Sequence, residues 1–424
     1  MEKNLHKQDK RRNSLKSSAL QLTVVISLII TLILGSLIYL YAFYRNQDIR
    51  ITNKTNVLYL MEAGIHLGTS SYLPIGDTTI QDFLTAGDQL WITKKHWGLF
   101  DVVTVVAKQY QDSLQKAFLI GPNETDSTVL YLMDEDRNLS VSGKTIIQGT
   151  AYLPKSGIKP AFVEGKYYEG VEKIVEGKIV ESTNKLPEIN TDRLQSIYSM
   201  LEKKSTIIKN WNGDRRVSFF SSSQFLYDSH PININLDTLS GNIMIISDSL
   251  ISISNANYIE NAICIAPVIR VSEGFVGKIQ LFALDSISIG KNSKLQYPSS
   301  IVLKAETNSD QKQIRIDNNV QIEGNIVLYE EKKSDIPHMI DFGENNKIYG
   351  DILCYGLLKY KKPLTVFGSV ACYRFVTQTT QSLYENYLID IVFDRYKRSK
   401  YYVNGFLKHN DSDRINNKVV CWLN

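Results

Sequence analysis

Six histidines, His6, His66, His96, His230, His338 and His409, are the first residues to examine for chemistry. A structural or catalytic metal needs two or more such ligands at short, regular spacing, as in an HExxH run. No two of the six have that spacing, so no metal site is expected. There is no GxSxG elbow and no GxxxxGK[ST] loop, which removes the usual serine nucleophile and phosphate cradle. The cysteines, Cys264, Cys354, Cys372 and Cys421, include no CxxC pair. Cys354 and Cys372 lie 18 residues apart and are expected to stack in a core as small apolar side chains, with a disulfide as the alternative. Glycan cleavage would need paired acids on one face. Instead Ser252, Arg270 and Ser288 form one mixed column, Gln321, Lys347 and Thr365 fall elsewhere, and Tyr401 and Tyr402 suit an exposed tyrosine-rich edge strand. No catalytic, cofactor-binding or metal-binding residue is expected, and the chain reads as a non-enzyme.

The elements that would carry any surface chemistry begin with the N-terminus. Residues 1–16 hold six basic and two acidic side chains, which account for the whole +4 net charge. The remainder is balanced, a poor footprint for nucleic acid. Ser17 to Tyr44 contains no charge and ends in Tyr39, Tyr41, Phe43 and Tyr44. A bilayer span needs about 20 apolar residues, and aromatics favour its interface. The run is too long for a signal-peptide core and lacks a small-x-small end, so it predicts an uncleaved anchor. The basic flank puts residues 1–16 in the cytoplasm and the rest outside it, in a single-pass protein of the cytoplasmic (inner) membrane.

After the anchor, Val57, Leu58, Leu60, Met61 and Ile65 have helical spacing, and Gly68 is a stop. Strands follow, with a hairpin expected around Gln111-Asp112-Ser113. A period then appears. Ile147-x-Gly149, Leu239-x-Gly241, Ile322-x-Gly324, Ile348-x-Gly350 and Val366-x-Gly368 each continue into two alternating apolar positions. Gly350 to Gly368 is 18 residues, and Ile251, Ile269 and Ile287 keep the same step. Gly324 to Gly350 is 26, with the excess falling in "YEEKKSDIPH". Fixed periods signal repeat folds. The fold class expected is therefore mainly β: an N-terminal transmembrane helix, then a parallel β-helix (β-solenoid) with about 18-residue coils and a short helical insertion, glycine easing the corners.

The expected division is 1–16 cytoplasmic basic tail, 17–44 transmembrane helix, 45–70 helical stalk, 71–180 first β block and 181–215 linker. The linker carries a short helix capped at Asn190/Thr191. Residues 216–381 form the β-solenoid and 382–424 a C-terminal β cap, since an open last coil invites aggregation.

The run "KSSALQLTVVISLIITLILG", with "NVLYLMEAGI" about thirty residues on and its Glu62-Ala63-Gly64, resembles the N-terminal segment of minor pilins and pseudopilins. The later I-x-G-x-I-x-L strands resemble bactofilin-like polymer-forming β-solenoids, and the whole is similar to membrane-anchored bacterial proteins that join these parts. The resemblance implies a structural, pilus-associated or cell-envelope role and brings no active site. A membrane-anchored extracytoplasmic structural or interaction protein is the function expected. Its partners are the bilayer, through residues 17–44, and envelope proteins, with no cofactor. The alternative is a polysaccharide-binding or polysaccharide-cleaving parallel β-helix, marked by a groove of acids and aromatics on one outer face.

Overall fold

A computed structural model describes residues 2–123, 126–171, 173–201, 214–234, 238–306, 310–379, 382–407 and 416–423, with side chains from Ala19 onward. These residues fall into two compact units, one of residues 2–63, 79–90 and 106–114, the other of 64–78, 91–105 and 115–423. The chain is mainly β, with one long N-terminal helix.

That helix, α1 (Glu2–Thr69), is unbroken for 68 residues. Its stretch from Ala19 is long and apolar enough to cross a membrane, and none of the apolar window is buried by protein. Hydroxyls within it satisfy themselves: Thr23, Ser27, Thr31 and Ser36 donate to carbonyls three or four residues back at 2.7–2.9 Å. Such back-bonding is how a span tolerates hydroxyls without water. Further along, Val57, Leu60 and Met61 are buried as their spacing predicts. Leu58 is not; it is 54% exposed, because one residue of helix turns it about 100° from Val57.

A five-stranded sheet contains Gly76–Gln81, Asp88–Trp97, Phe100–Gln109, Asp112–Pro122 and Asn417–Leu423. The hairpin turn lies at Tyr110-Gln111, slightly before the expected place, with Tyr110 at φ 53°. The last strand pairs antiparallel with Ala117–Pro122. The C-terminal segment expected as a cap thus ends in this sheet.

The larger sheet has 23 strands, joined almost entirely by parallel pairs. They form three series, each pairing with itself one period along the chain. A strand from each series makes a layer, and the layers repeat at about 4.8 Å. One apolar column passes from Leu226 through Ile245, Cys264, Leu281, Ile301, Ile326, Ile352 and Val370. All of these are at most 1% exposed, so the period-two alternation sets one buried side per strand, as read from the sequence. The 26-residue step is also as expected, since strand Gln321–Glu330 ends where the extra loop begins and Met339 resumes the series.

The order of the layers differs from the order of the chain. The column continues from Val370 to Leu130, then Ala151, then Ile179. Residues 128–181, expected in a block apart from 216–381, therefore lie on the layer built by residues 364–394. Strand Ile391–Asp394, expected in the cap, is an inner member of the same series, between Leu364–Val366 and Ile146–Gln148. The covering that the last coil needs comes from the N-terminal half, because those strands offer matching alternation and a parallel edge.

From Glu181 the chain returns to the first layer through residues 182–214. Helix α2 (Thr191–Tyr198) lies there, with the Asn190 side chain accepting from the Arg193 N–H at 3.0 Å. Part of the expected insertion, 202–213, is outside the described residues.

Candidate functional site

Outward-facing columns decide which surfaces can meet a partner. The second series carries an apolar outward column through Ile246, Ile265, Phe282, Val302, Val327 and Leu353. It is buried beneath Trp97, Leu99, Phe100 and the residues of α2. The Tyr198 hydroxyl donates to the Ala283 carbonyl at 3.0 Å, and the Leu99 N–H donates to Gln280 Oε1 at 2.9 Å. This face is closed, so the first and third series supply the open ones.

On the third face, Ser252, Arg270 and Ser288 stack as the sequence predicts, and the column runs on to Arg315, Asp341 and Lys359. A groove of about 450 Å³ lies beside it. Arg315 meets Asp317 at 3.2 Å and Lys359 meets Asp341 at 3.6 Å, so much of its charge is paired. Gln321, Lys347 and Thr365 are not scattered as expected. They form one outward column with Lys294 on the first face, because the 26- and 18-residue steps both preserve register.

On the same face, near the start of the ladder, Arg216, Ser240, Glu260 and Lys278 stack in one column, and Thr238 pairs with Tyr258 beside it. They border a groove of about 610 Å³ with Val217, Ser218 and Gly241. Lys278 Nζ donates to Glu260 Oε1 at 2.6 Å, and the Tyr258 hydroxyl donates to Oε2 at 3.0 Å. The Lys278 hydrogen bond, against a smaller burial penalty, holds the Glu260 carboxyl below its usual range. This grouping of an acid, an aromatic and an arginine was missed in the sequence. Its signal was the one-period spacing from Ser240 to Glu260 to Lys278.

Three buried polar clusters lie elsewhere. His96 Nδ1 is 2.7 Å from Asp101 Oδ1, and Arg193 of α2 donates to the same oxygen at 2.9 Å. Burial alone would raise the Asp101 carboxyl, but the His96 hydrogen bond and the Arg193 charge outweigh it and hold it low. Burial pulls the nearby Lys94 ammonium down. An acid that orients a histidine could serve a general base, but here the same carboxylate holds α2 against the strand. At the base of the extra loop, His338 and Glu330 are both buried, with His338 Nδ1 accepting from the Lys312 N–H at 3.0 Å. Asp351 receives Ser369 N–H at 2.9 Å, Ser369 Oγ at 2.7 Å and Arg398 at 2.7 Å.

Tyr402, expected to be exposed, is part of this last cluster. Its hydroxyl donates to Asn325 and accepts the Asp351 N–H at 3.0 Å, with Arg398 over its ring at 4.5 Å. Tyr401 stays outside at 82% exposure.

The remaining histidines are dispersed: His66 and His230 are exposed, and the His6 side chain and His409 lie outside the described residues. Among the described residues, no three His, Cys, Asp or Glu side chains are placed to hold a metal. Cys354 and Cys372 pair in register as expected, and all four cysteines are free. Burial pushes the Cys354 and Cys372 thiols up, which suits packing rather than reactivity. In comparison with known proteins, the chain matches no family model, no curated protein sequence and no solved structure.

Proposed function

We propose that this is a single-pass protein anchored by residues 17–44 in the cytoplasmic membrane. Its basic tail is cytoplasmic, and the β portion works outside as a structural or interaction scaffold of the cell envelope. In this reading the 23-stranded ladder is a parallel β-solenoid. Three strand series, an 18-residue step and unbroken inward columns support that assignment. The observation that carries the functional reading is the bare apolar stretch of α1, which starts directly after six basic residues. Exposed leucine and isoleucine along a whole helix are stable only against lipid or another apolar partner. A stack of short layers suits a scaffold, because each layer offers a rigid outward row at fixed spacing.

A reporter that is active only outside the cytoplasm, fused after Asn424, tests the topology. Activity is expected; a cytoplasm-only reporter working at the same point would reverse it. Deleting Ser17–Tyr44 should release soluble protein, and a product still in the membrane fraction would mean another anchor.

A further inference from the structure

The first-face groove has a shape that its own column explains. Arg216, Ser240 and Glu260 occupy three successive layers, so Arg216 and Glu260 stand about 10 Å apart along the column. Ser240 is the shortest of the three and leaves the space between them open. Gly241 keeps the floor flat. It has φ 95°, and a Cβ there would run into the Val217 carbonyl oxygen. Tyr258 forms one wall and is 55% exposed, an aromatic ring kept in solvent. Its hydroxyl is tied to Glu260, which fixes the ring.

We propose that this groove binds one unit of an acidic glycan, its ring face on Tyr258, its carboxylate on Arg216 and its hydroxyls on Glu260. A sugar ring has an apolar C–H face and a polar rim. The first suits an aromatic side chain and the second suits fixed acceptors. Glu260 keeps lone pairs for such hydroxyls, because each carboxylate oxygen accepts more than the single bond it has from Lys278 or Tyr258. The Arg216 guanidinium matches a carboxylate as a planar fork. The third-face groove has arginines and serines but no aromatic wall, so it lacks the feature that selects a sugar over a simple anion. The proposal rests on the extracytoplasmic placement above, where envelope and external polysaccharides are met.

The test uses the full chain in a detergent without a sugar headgroup. It is titrated calorimetrically with oligomers of galacturonic acid and of mannuronic acid, with the matching neutral oligomers, and with polyglutamate. An acidic oligomer should bind saturably. Ser240→Phe, which fills the gap, and Tyr258→Ala should each weaken binding by about tenfold or more. Arg216→Gln should bring acidic and neutral oligomers to equal affinity, and Ser252→Phe on the third face should change nothing. Thermal melts of all four variants should match the wild type, since none of these side chains is buried. No saturable binding of either acidic oligomer would overturn the proposal. So would wild-type affinity in both Ser240→Phe and Tyr258→Ala, or polyglutamate binding as tightly as the sugars. Because binding is measured on purified protein, loss of binding with the topology upheld removes the groove alone. Binding with the topology reversed removes the placement alone.

Discussion

Two corners of the β ladder solve the same geometric problem in opposite ways. At the corner between the first and second series the chain bends where layers touch most closely, and glycine removes the obstacle. A Cβ on Gly324, Gly350 or Gly368 would run into the carbonyl oxygen of Ser299, Gly324 or Gly350 respectively, one layer away. At the corner that leads back to the first series, Gly274, Asn292, Asn319 and Asn345 adopt φ of 74°, 57°, 58° and 58°. Here a side chain fits and is used. Asn319 Nδ2 donates to Asn292 Oδ1 at 3.3 Å, and Asn345 Nδ2 donates to Asn319 Oδ1 at 2.9 Å. One corner is defined by what must be absent, the other by a conformation that asparagine tolerates and a ladder that it alone can extend.

The largest effect should come from breaking the first corner. Gly350→Val forces a β-branched side chain into backbone and should cost about 4 kcal/mol or more, the range reserved for blocked or strained sites. Lys347→Val, outward in the same layer, should stay within about 0.5 kcal/mol. Urea melts of the full chain compare the two; equal midpoints would deny the close approach.

Next in size is Asp351→Ala, which removes the carboxylate that backs the glycine corner and leaves buried Arg395 and Arg398 without it. Stranding a buried charge in this way costs about 3–5 kcal/mol, and Asp351→Asn should recover part of it. Thermal melts of both variants give the measurement, and a silent Asp351→Ala would mean that the corner stands without its support.

The asparagine corner should be milder. Asn319→Ala meets a positive φ and loses the ladder, about 1–2 kcal/mol. Asn319→Gly keeps the conformation and should lose less than about 1 kcal/mol. If glycine is as harmful as alanine, the ladder bonds rather than the conformation hold this corner.

The smallest effect concerns the remaining corner, where His338 sits under the extra loop. Burial keeps its imidazole below the usual histidine range, and the Lys312 N–H occupies Nδ1, so the neutral form is the native one. A depressed folded value means that the unfolded chain takes up the proton first. Stability is therefore full above the ordinary histidine range, near pH 6.5, and falls as pH drops below it. His338→Gln should flatten that slope in melts between pH 7.5 and 5; a slope unchanged by the substitution would assign it to other groups.

The same contrast explains what could be read in the chain beforehand. Gly350 and Gly368 announced their corner because no other residue can replace them and their spacing is regular. Asn292, Asn319 and Asn345 keep nearly equal steps, but asparagine is common in any turn, so the pattern was not distinctive. Gln321, Lys347 and Thr365 looked scattered because an outward column is chemically unconstrained and shows only once register is known. Tyr402 was misplaced for a related reason: a tyrosine's burial depends on partners from distant layers, here Asn325 and Asp351. The groove at Tyr258 needed three layers to be aligned before its parts became neighbours. The position of residues 128–181 was beyond reach, since their short strands fit any layer edge of matching alternation.

That position has a consequence for biosynthesis. Leu130 pairs with Val370, 240 residues later, and Ile146 pairs with Val392. At about 5–20 residues per second, roughly 12–50 s separate the emergence of these strands from that of their partners. During that interval Thr128–Leu153 is made but has no edge to join. A nascent chain in this state would be a preferred client for a holding chaperone, and crowded synthesis would invite pairing between neighbouring chains before each can close on itself.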